Sequence, residues 1–286
     1  MSGPTWEGDG PGAVPTGPRG IAGWLRVLLR GSALGLVTFG GLAVLLLVRL
    51  VERPLCGLRR PVTPHITQAV CRAAIVILGL RRTQSGQPMP GPGAIVANHA
   101  SWLDIFALNA GQRVYFVSKS EVAAWPGIGW LARATGTLFI KRDRREARAQ
   151  ADLFAERLAA GHLLLFFPEG TSTDGRRVLP FKTTLFQAFL SDAIPGDMAI
   201  QPVTLSYHAP VGEDARFYGW WGDMEFGAHL LQTLAARRQG RIHVTYHPPV
   251  RAADHANRKD LARSCETAVR GPVTALVNGA SNADQG

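Results

Sequence analysis

The chain has 286 residues, of which 46% are hydrophobic and only 18% are charged, and its formal net charge is +10 at pH 7. This length suffices for one large domain or two small ones with a substantial core. The positive charge favours a polyanionic partner, namely nucleic acid, an anionic lipid surface or an acidic small substrate. The three cysteines are odd in number and show no Cys-x-x-Cys spacing, which argues against a disulfide framework.

The N-terminal region combines a tail with a strongly apolar segment. Residues 1–20 are rich in Pro and Gly, and we expect them to be disordered. Residues 31–48 carry no charge, and about 18 apolar residues suffice for a transmembrane helix. Arginines flank this run in similar numbers on both sides, so the positive-inside rule does not orient it.

A second apolar stretch, residues 65–80, is interrupted by Gln68 and Arg72. Two interpretations stay open for it. In the first, residues 21–82 form a membrane anchor that either spans the bilayer or enters one leaflet as a helical hairpin. In the second, this stretch is an amphipathic helix packed on the following domain.

Beyond a loop rich in Gly and Pro at residues 85–93, short apolar runs alternate with helical patterns. The predicted strands are Ala94–Ala97, Val114–Val117, Thr137–Lys141, Leu163–Phe167, Ile200–Ser206 and Ile242–Tyr246. The predicted helices are Leu103–Ala110, Ile128–Ala134, Arg145–Ala160, Thr183–Leu190, Met224–Ala236 and Lys259–Val277. This alternation predicts an α/β domain over residues 83–286, with a mixed, largely parallel sheet flanked by helices.

A candidate general base follows the first predicted strand. His99 comes directly after the apolar run, and Asp104 follows it by five residues. A carboxylate can fix the tautomer of such a histidine and stabilise its protonated form. Residues five apart point roughly 140° away from each other on a helix, so we expect His99 in the loop and Asp104 in the first helical turn.

Spacing alone does not establish this pair. Ser101 to Asp104 also fits a helix-capping pattern, in which Asp104 satisfies only the helix start. His255 and Asp260 have the same spacing, but no apolar run precedes them. Both the catalytic and the capping interpretation stay open at this point.

A second motif follows the predicted strand at Leu163–Phe167. The strand ends at Pro168 and places Glu169 and Gly170 at its tip. Glycine lets backbone N–H groups approach a ligand, and glutamate can hydrogen-bond an alcohol or orient a headgroup. An ordinary surface turn is the alternative.

Together the two motifs resemble those of the glycerolipid acyltransferase superfamily, in particular its 1-acyl-glycerol-3-phosphate acyltransferase branch. They are Asn98-His99 with Asp104, and Phe167-Pro-Glu-Gly-Thr171. Residues 136–142 (Gly-Thr-Leu-Phe-Ile-Lys-Arg) and 200–203 (Ile-Gln-Pro-Val) are similar to the second and fourth blocks of that family. The resemblance covers about residues 94–203, and the order of the blocks makes it specific.

The resemblance implies acyl transfer without a metal, a cofactor or a covalent enzyme intermediate. His99, held by Asp104, would take the proton of an acceptor hydroxyl, which then attacks the thioester of acyl carrier protein or coenzyme A. Backbone N–H groups near Gly170 would stabilise the oxyanion. The implied substrate-binding residues, two of them cations for an anionic headgroup, are Asn98, Lys119, Arg142, Glu169, Gly170 and Thr171.

The acceptor stays open. After Glu-Gly-Thr the family commonly has an arginine that contacts the acceptor phosphate, and this chain has Ser172. Arg176 and Arg177 either replace it or form a solvated basic loop. Residues 167–182 and 220–224 also resemble the bacterial subgroup that acylates lyso-ornithine lipid. We therefore expect a lysophospholipid acceptor of the 1-acyl-sn-glycerol-3-phosphate type, with lyso-ornithine lipid as the alternative.

The expected location is the bacterial inner membrane, with the catalytic domain on its cytoplasmic face and membrane lipid as a partner. A nucleic-acid binder would account for the charge, but not for the apolar run at residues 31–48. A membrane hydrolase or thioesterase would need a Gly-x-Ser-x-Gly elbow, which the sequence does not contain. A non-catalytic lipid-binding membrane protein remains a further alternative.

Overall fold

The computed structural model describes residues 6, 8, 15–141, 146–194 and 198–283, with the backbone alone at residues 147 and 280–283. The α-helices in this part of the chain are α1 (Gly20–Cys56), α2 (Thr63–Leu78), α3 (Leu103–Gly111), α4 (Ile128–Thr135), α5 (Ala147–Ala159), α6 (Phe226–Ala235) and α7 (Arg258–Ala283). The strands are β1 (Arg81–Ser85), β2 (Gly93–Ala97), β3 (Tyr115–Lys119), β4 (Leu138–Ile140), β5 (Leu163–Phe166), β6 (Ala199–His208), β7 (Arg241–Tyr246) and β8 (Val250–Arg251). Within the described residues, 3-10 helices lie at Ser120–Ala124, Leu185–Leu190 and Ala252–Asp254.

The strands form one mixed sheet in the order β1-β7-β6-β2-β5-β3-β4, and β8 pairs with β6. The five strands from β6 to β4 are parallel to one another. Strand β7 is antiparallel to β6 and parallel to β1, so these two strands run the other way. The predicted α/β fold with a largely parallel sheet is confirmed, and each of the six predicted strands is present.

Two strands and one helix type differ from the sequence predictions. Strand β1, Arg-Arg-Thr-Gln-Ser, has no apolar run because it lies at the edge of the sheet and is largely exposed. The two-residue strand β8 is too short to leave a pattern. The predicted helix at Thr183–Leu190 is instead a 3-10 helix, in which residues three apart face the same way. That spacing buries both Phe186 and Phe189.

Side chains alternate between the two faces of the sheet along each strand, so both faces carry apolar side chains. A layer of helices covers each face. Ile95 and Ala97 of β2 belong to the core on the side of α2 and α3. Ala94 and Val96 belong to the core on the side of α5 and α7. The loops after β2 and β5 therefore extend from the ends of strands that are covered by helices on both faces.

Helix α2 packs on the same face of the sheet as α3. Its buried side chains include Cys71, Ala74, Ile75 and Leu78, which share one core with residues of α3, β2 and β6. Val76, on the opposite side of the helix, is 77% exposed. Of the two interpretations of the second apolar stretch, packing on the following domain describes α2 in this structure. The boundary at residue 83 stays a prediction.

Helix α1 contacts the domain at both of its ends. Near the N-terminal end, Arg30 donates hydrogen bonds to the carbonyl oxygens of Leu234 and Ala236 at the end of α6, at 2.9 and 2.7 Å. Beyond the C-terminal end, His162 Nε2 donates to Leu58 O at 3.0 Å, since its Nδ1 accepts a bond from Arg157. Among the described helices, α1 is long and apolar enough to cross a membrane, and 11% of its most apolar window is buried.

The packing of α2 leads to a prediction about stability. Leu78→Ala removes a fully buried side chain and should lower the free energy of unfolding by about 2–5 kcal/mol. Val76→Ala removes an exposed side chain of the same helix and should change it by no more than about 0.5 kcal/mol. Thermal unfolding in detergent solution would measure both. Equal effects of the two variants would contradict the packing of α2 on the domain.

Candidate active site

The two sequence motifs meet at one edge of the sheet. Strands β2 and β5 are parallel neighbours with Val96 opposite Phe166, so the loops after them leave the sheet side by side. The backbone N–H of His99, after β2, donates a 2.7 Å hydrogen bond to Glu169 Oε1, after β5. This is the carboxyl edge of the parallel strands, where such sheets bind ligands.

His99 and Asp104 form a hydrogen-bonded pair. His99 lies in the loop and Asp104 in the first turn of α3, as the helix geometry predicts. His99 Nδ1 lies 2.7 Å from Asp104 Oδ2, and the same oxygen accepts the N–H groups of Ala100 and Ser101 at 2.8 and 3.0 Å. Asp104 therefore holds the histidine and orders the turn before the helix, so the two interpretations of this residue are compatible.

The orientation of the imidazole leaves its other nitrogen for chemistry. Because Nδ1–H donates to a carboxylate, Nε2 carries the free lone pair. The ring stacks on Phe167, with ring centroids 4.1 Å apart and planes 10° apart. The His99 side chain is 22% exposed, whereas Asp104 is fully buried. His99 Nε2 can therefore accept a proton from a group that reaches this edge of the sheet.

Tyr207 is a site residue that the sequence motifs did not reveal. Its hydroxyl donates a short hydrogen bond to Asp104 Oδ1. Burial raises the pKa of Tyr207 well above its usual value, so the hydroxyl stays protonated and remains a donor. The sequence held only an indirect signal, because Tyr207 continues the alternation of Val203 and Leu205 one residue past the predicted strand. In the structure the three residues share one core.

Glu169 differs from its predicted role as a substrate contact. It is buried, and its two carboxyl oxygens accept backbone N–H bonds from His99 and Leu179, each at 2.7 Å. Burial raises the pKa of Glu169 to about 8, while the two backbone hydrogen bonds act in the opposite direction. Its oxygens are used to join the two loops, and this geometry makes it a positioning residue.

Asn98 also differs from the prediction of a substrate contact. Its side chain is fully buried. Nδ2 donates to Leu205 O at 3.0 Å, and Oδ1 accepts the N–H of Leu205 at 2.8 Å. The amide thus bonds the end of β2 to β6 and cannot reach a ligand in this arrangement, because both of its polar atoms face the backbone of β6.

The remaining predicted binding residues lie at the same edge or outside the described residues. Gly170 has φ +75°, a left-handed conformation that favours glycine, and its N–H donates to Phe167 O at 3.1 Å. Lys119 ends β3, and the half-buried Thr171 follows Gly170. Arg142 lies outside the described residues. The contribution of these four residues to substrate binding stays a prediction.

A second layer of contacts encloses the histidine loop. Ser172 Oγ donates to Trp220 O at 2.5 Å, and the N–H of Trp220 donates to Ala100 O at 2.8 Å. The N–H of Thr173 donates to His99 O at 2.9 Å. Residues 167–182 and 220–224, which are far apart in the chain, are therefore neighbours at the site.

The basic loop after this motif is partly neutralised. Arg177 forms a 3.2 Å ion pair with Asp174, and its guanidinium lies 4.9 Å from the ring of Trp6. Trp6 also packs near Trp221, with centroids 6.0 Å apart. One residue of the predicted tail thus lies beside the site, a contact that no sequence pattern indicated.

The second His-Asp spacing has no comparable arrangement. His255 Nδ1 bonds to Arg251 O at 3.0 Å, and Asp260 Oδ2 accepts a bond from Asn257 at 2.7 Å. Both side chains thus bond to other neighbours on the surface. This distinguishes the site at His99 from a chance repetition of its spacing.

The raised pKa of Glu169 predicts a pH dependence of stability. In the unfolded chain this carboxyl ionises near pH 4.5, whereas in the folded protein it stays protonated up to about pH 8. The folded state holds the extra proton between these values, so the free energy of unfolding should fall as pH rises through this window. In Glu169→Gln the free energy of unfolding should depend less on pH over this window, as measured by denaturant titrations at a series of pH values.

Glu156→Gln, which removes an exposed carboxyl, is the matched control and should keep the wild-type dependence. A Glu169→Gln variant with the full wild-type fall would show that Glu169 is already ionised in the folded protein near pH 5.

Comparison with known proteins identifies relatives of the whole chain. The family model described as Acyltransferase matches residues 81–206. A lyso-ornithine lipid O-acyltransferase of Rhodobacter capsulatus is 59% identical over 270 residues, which cover 94% of this chain and 97% of that protein. A 1-acyl-sn-glycerol-3-phosphate acyltransferase of Neisseria gonorrhoeae is 35% identical over 141 residues, which cover 49% of this chain and 54% of that protein.

A solved structure has the same fold. The crystal structure of the 1-acyl-sn-glycerophosphate (LPA) acyltransferase PlsC from Thermotoga maritima matches with a TM-score of 0.61 and 21% identity, covering 90% of this chain and 96% of that chain. The resemblance that the four sequence blocks indicated is confirmed by the family model and by the near full-length relative. The chain belongs to the glycerolipid acyltransferase superfamily and is an acyltransferase.

Proposed function

We propose that this acyltransferase moves a fatty acyl chain from a thioester to the free hydroxyl of lyso-ornithine lipid. The observation that carries the choice of acceptor is the 59% identity to the Rhodobacter capsulatus enzyme over nearly the whole of both chains. Ser172 supports it, because this residue takes the place of the arginine expected for a phosphate and instead bonds to Trp220. The hydroxyl specificity follows from the name of that relative, an O-acyltransferase.

The proton transfer in the proposed reaction begins at His99. Nε2 accepts the proton of the acceptor hydroxyl while its oxygen attacks the thioester carbonyl carbon. Asp104, bonded to Nδ1, stabilises the imidazolium that forms. The C–S bond then breaks, the leaving thiolate takes the proton back from His99, and the products are the acylated lipid and a free thiol.

Acyl carrier protein or a coenzyme A thioester is the proposed donor. Both carry negative charge, and the net charge of +10 favours their approach. Donor and acceptor meet at the carboxyl edge of the sheet, where Lys119 ends its strand. We assign to Lys119 and Arg142 the binding of anionic groups of the substrates.

A second acceptor, 1-acyl-sn-glycerol-3-phosphate, is supported by the relative from Neisseria gonorrhoeae. That match covers 49% of this chain, and the acceptor carries a phosphate that needs cationic side chains. Arg177 is a weaker candidate for such a contact than its position suggests, because Asp174 already pairs with it. We therefore place this acceptor second.

The proposed location is the cytoplasmic leaflet of the inner membrane. Helix α1 has 37 residues, about 55 Å at ~1.5 Å per residue, and contacts the catalytic domain at both ends. A helix that crosses the bilayer has its ends on opposite sides of an apolar layer about 30 Å thick. A helix lying along one leaflet fits these contacts better. Exposed apolar side chains along it include Leu28, Leu36, Phe39, Leu47 and Leu50.

The proposed base gives a prediction about activity. His99→Ala should lower acyl transfer at least about 100-fold, the contribution of a well-placed general base. His255→Ala is the matched control, because it removes the other histidine of the same spacing and should leave the rate unchanged. The assay measures the transfer of a labelled acyl chain from acyl carrier protein by the purified enzyme in membranes.

The same assay compares lyso-ornithine lipid and 1-acyl-sn-glycerol-3-phosphate side by side. We expect a higher kcat/KM with lyso-ornithine lipid. A higher value with the phosphate acceptor would reverse the order of the two acceptors, and full activity of His99→Ala would end the proposed mechanism.

The bond between Tyr207 and Asp104 gives a second prediction about activity. Tyr207→Phe removes a hydrogen bond to a charged group, worth about 1.5 kcal/mol, and should lower kcat about tenfold. The KM for the acceptor should not change, because Tyr207 is buried behind Asp104.

Tyr218→Phe is the control. That hydroxyl is also buried, but it bonds to Gln239 and Gly240, so the variant should lose stability without a comparable fall in kcat. If Tyr207→Phe kept the wild-type kcat, Tyr207 would have no part in positioning Asp104.

A further inference from the structure

A large cavity in the described part of the chain lies away from His99. Its volume is about 960 Å³, and its walls come from the turn between α1 and α2 and from the residues that begin β2, β3 and β5. These are the amino ends of the parallel strands, whereas His99 follows a carboxyl end. The five residues of β2 separate the two places by about 16 Å.

The cavity is lined by three arginines, Arg59, Arg60 and Arg113. No ion pair among the described residues includes any of them. The nearby carboxylate of Glu52 is already bonded to Arg49 and to the start of α2. The positive charge of the cavity therefore has no local counter-charge among the residues that line it.

Arg60 is held in place for this role by the structure around it. It donates a 2.9 Å hydrogen bond to Ala134 O, and its guanidinium lies 6.0 Å from the ring of Tyr115. Burial and the charge of Arg49 lower the pKa of Arg60, which means that an added anion would be stabilising there. Arg157 lies 4.9 Å from the same ring and adds to the positive field.

Two further features describe what kind of anion fits. Gln112 lines the cavity, and its buried Oε1 has no hydrogen-bond partner among the described residues, while its Nε2 donates to Met89 O. The Gln112 side chain is thus a fixed, uncharged part of the cavity wall. Leu55, another lining residue, is 78% exposed, and Leu58 and Val62 beside it are exposed as well. Exposed apolar side chains thus lie beside the arginines at the mouth of the cavity.

We infer that this cavity binds the headgroup of an anionic phospholipid of the membrane, separately from the acceptor site. The arginines bind the phosphodiester, and the acyl chains lie against the exposed apolar side chains of the α1–α2 turn. Such a lipid fixes the amino edge of the sheet to the same leaflet that α1 occupies.

The test measures binding of a fluorescent phosphatidylglycerol to the full chain in neutral detergent micelles. Arg59→Gln with Arg113→Gln removes two exposed cations of the cavity and should weaken binding at least about tenfold. Lys259→Gln with Arg263→Gln, two exposed cations of α7 on the other face of the sheet, is the matched control and should change it less than about twofold.

A charge-neutral variant separates the cavity from general surface charge. Ala160→Trp places a large side chain in the cavity wall and reduces the space inside without altering any charge. It should also weaken binding of phosphatidylglycerol about tenfold. Unchanged binding in both the arginine variant and Ala160→Trp would overturn the inference. If the arginine variant lost binding but Ala160→Trp bound like the wild type, the lipid would be attracted by surface charge and not held in the cavity. That result would overturn the inference as well.

Two competitors define the ligand. Phosphatidylcholine should compete poorly, and inorganic phosphate should compete only at a concentration more than about 100-fold higher. Equal competition by inorganic phosphate would assign the cavity to free phosphate and overturn the lipid. The His99→Ala variant should bind phosphatidylglycerol like the wild type, so this result does not depend on the proposed reaction.

Discussion

The buried carboxylate of Asp104 is the interaction on which the arrangement of the site depends. It accepts bonds from His99 Nδ1, from the N–H groups of Ala100 and Ser101, and from the hydroxyl of Tyr207. A charge removed from water is stable only when hydrogen bonds replace the lost solvent. The donors come from the loop after β2 and the end of β6, and Asp104 itself lies at the start of α3. All three elements must therefore be in place together. The orientation of His99 is therefore a property of the whole fold.

The sequence predicted the strands well for a physical reason. Strands such as Gly93–Ala97 and Leu163–Phe166 are buried on both faces of a parallel sheet and read as continuous apolar runs. Strand Arg81–Ser85 lies at the sheet edge, so its polar side chains left no such run. The meeting of the two motifs was also predictable, because the carboxyl ends of parallel strands share one edge.

The atomic roles of the site residues were less predictable. Spacing indicated that Asn98 and Glu169 belong to the site, but not that their polar atoms bond to backbone groups of Leu205, His99 and Leu179. Those partners are set by the register of strands and loops distant in the sequence. Tyr207 belongs to no sequence motif, because its hydrogen bond to Asp104 depends on where β6 places it.

Helix α2 shows that the N-terminal helices and the sheet that carries His99 share one folded unit. Its side chains Ala74 and Leu78 are buried in the same core as Leu103 and Leu205, and Arg30 of α1 occupies the last carbonyl oxygens of α6. Cutting the chain before the sheet would expose that core and leave those carbonyls without donors. The two N-terminal helices thus belong to the folding unit of the sheet, so a fragment that begins at the sheet would lack part of its own core.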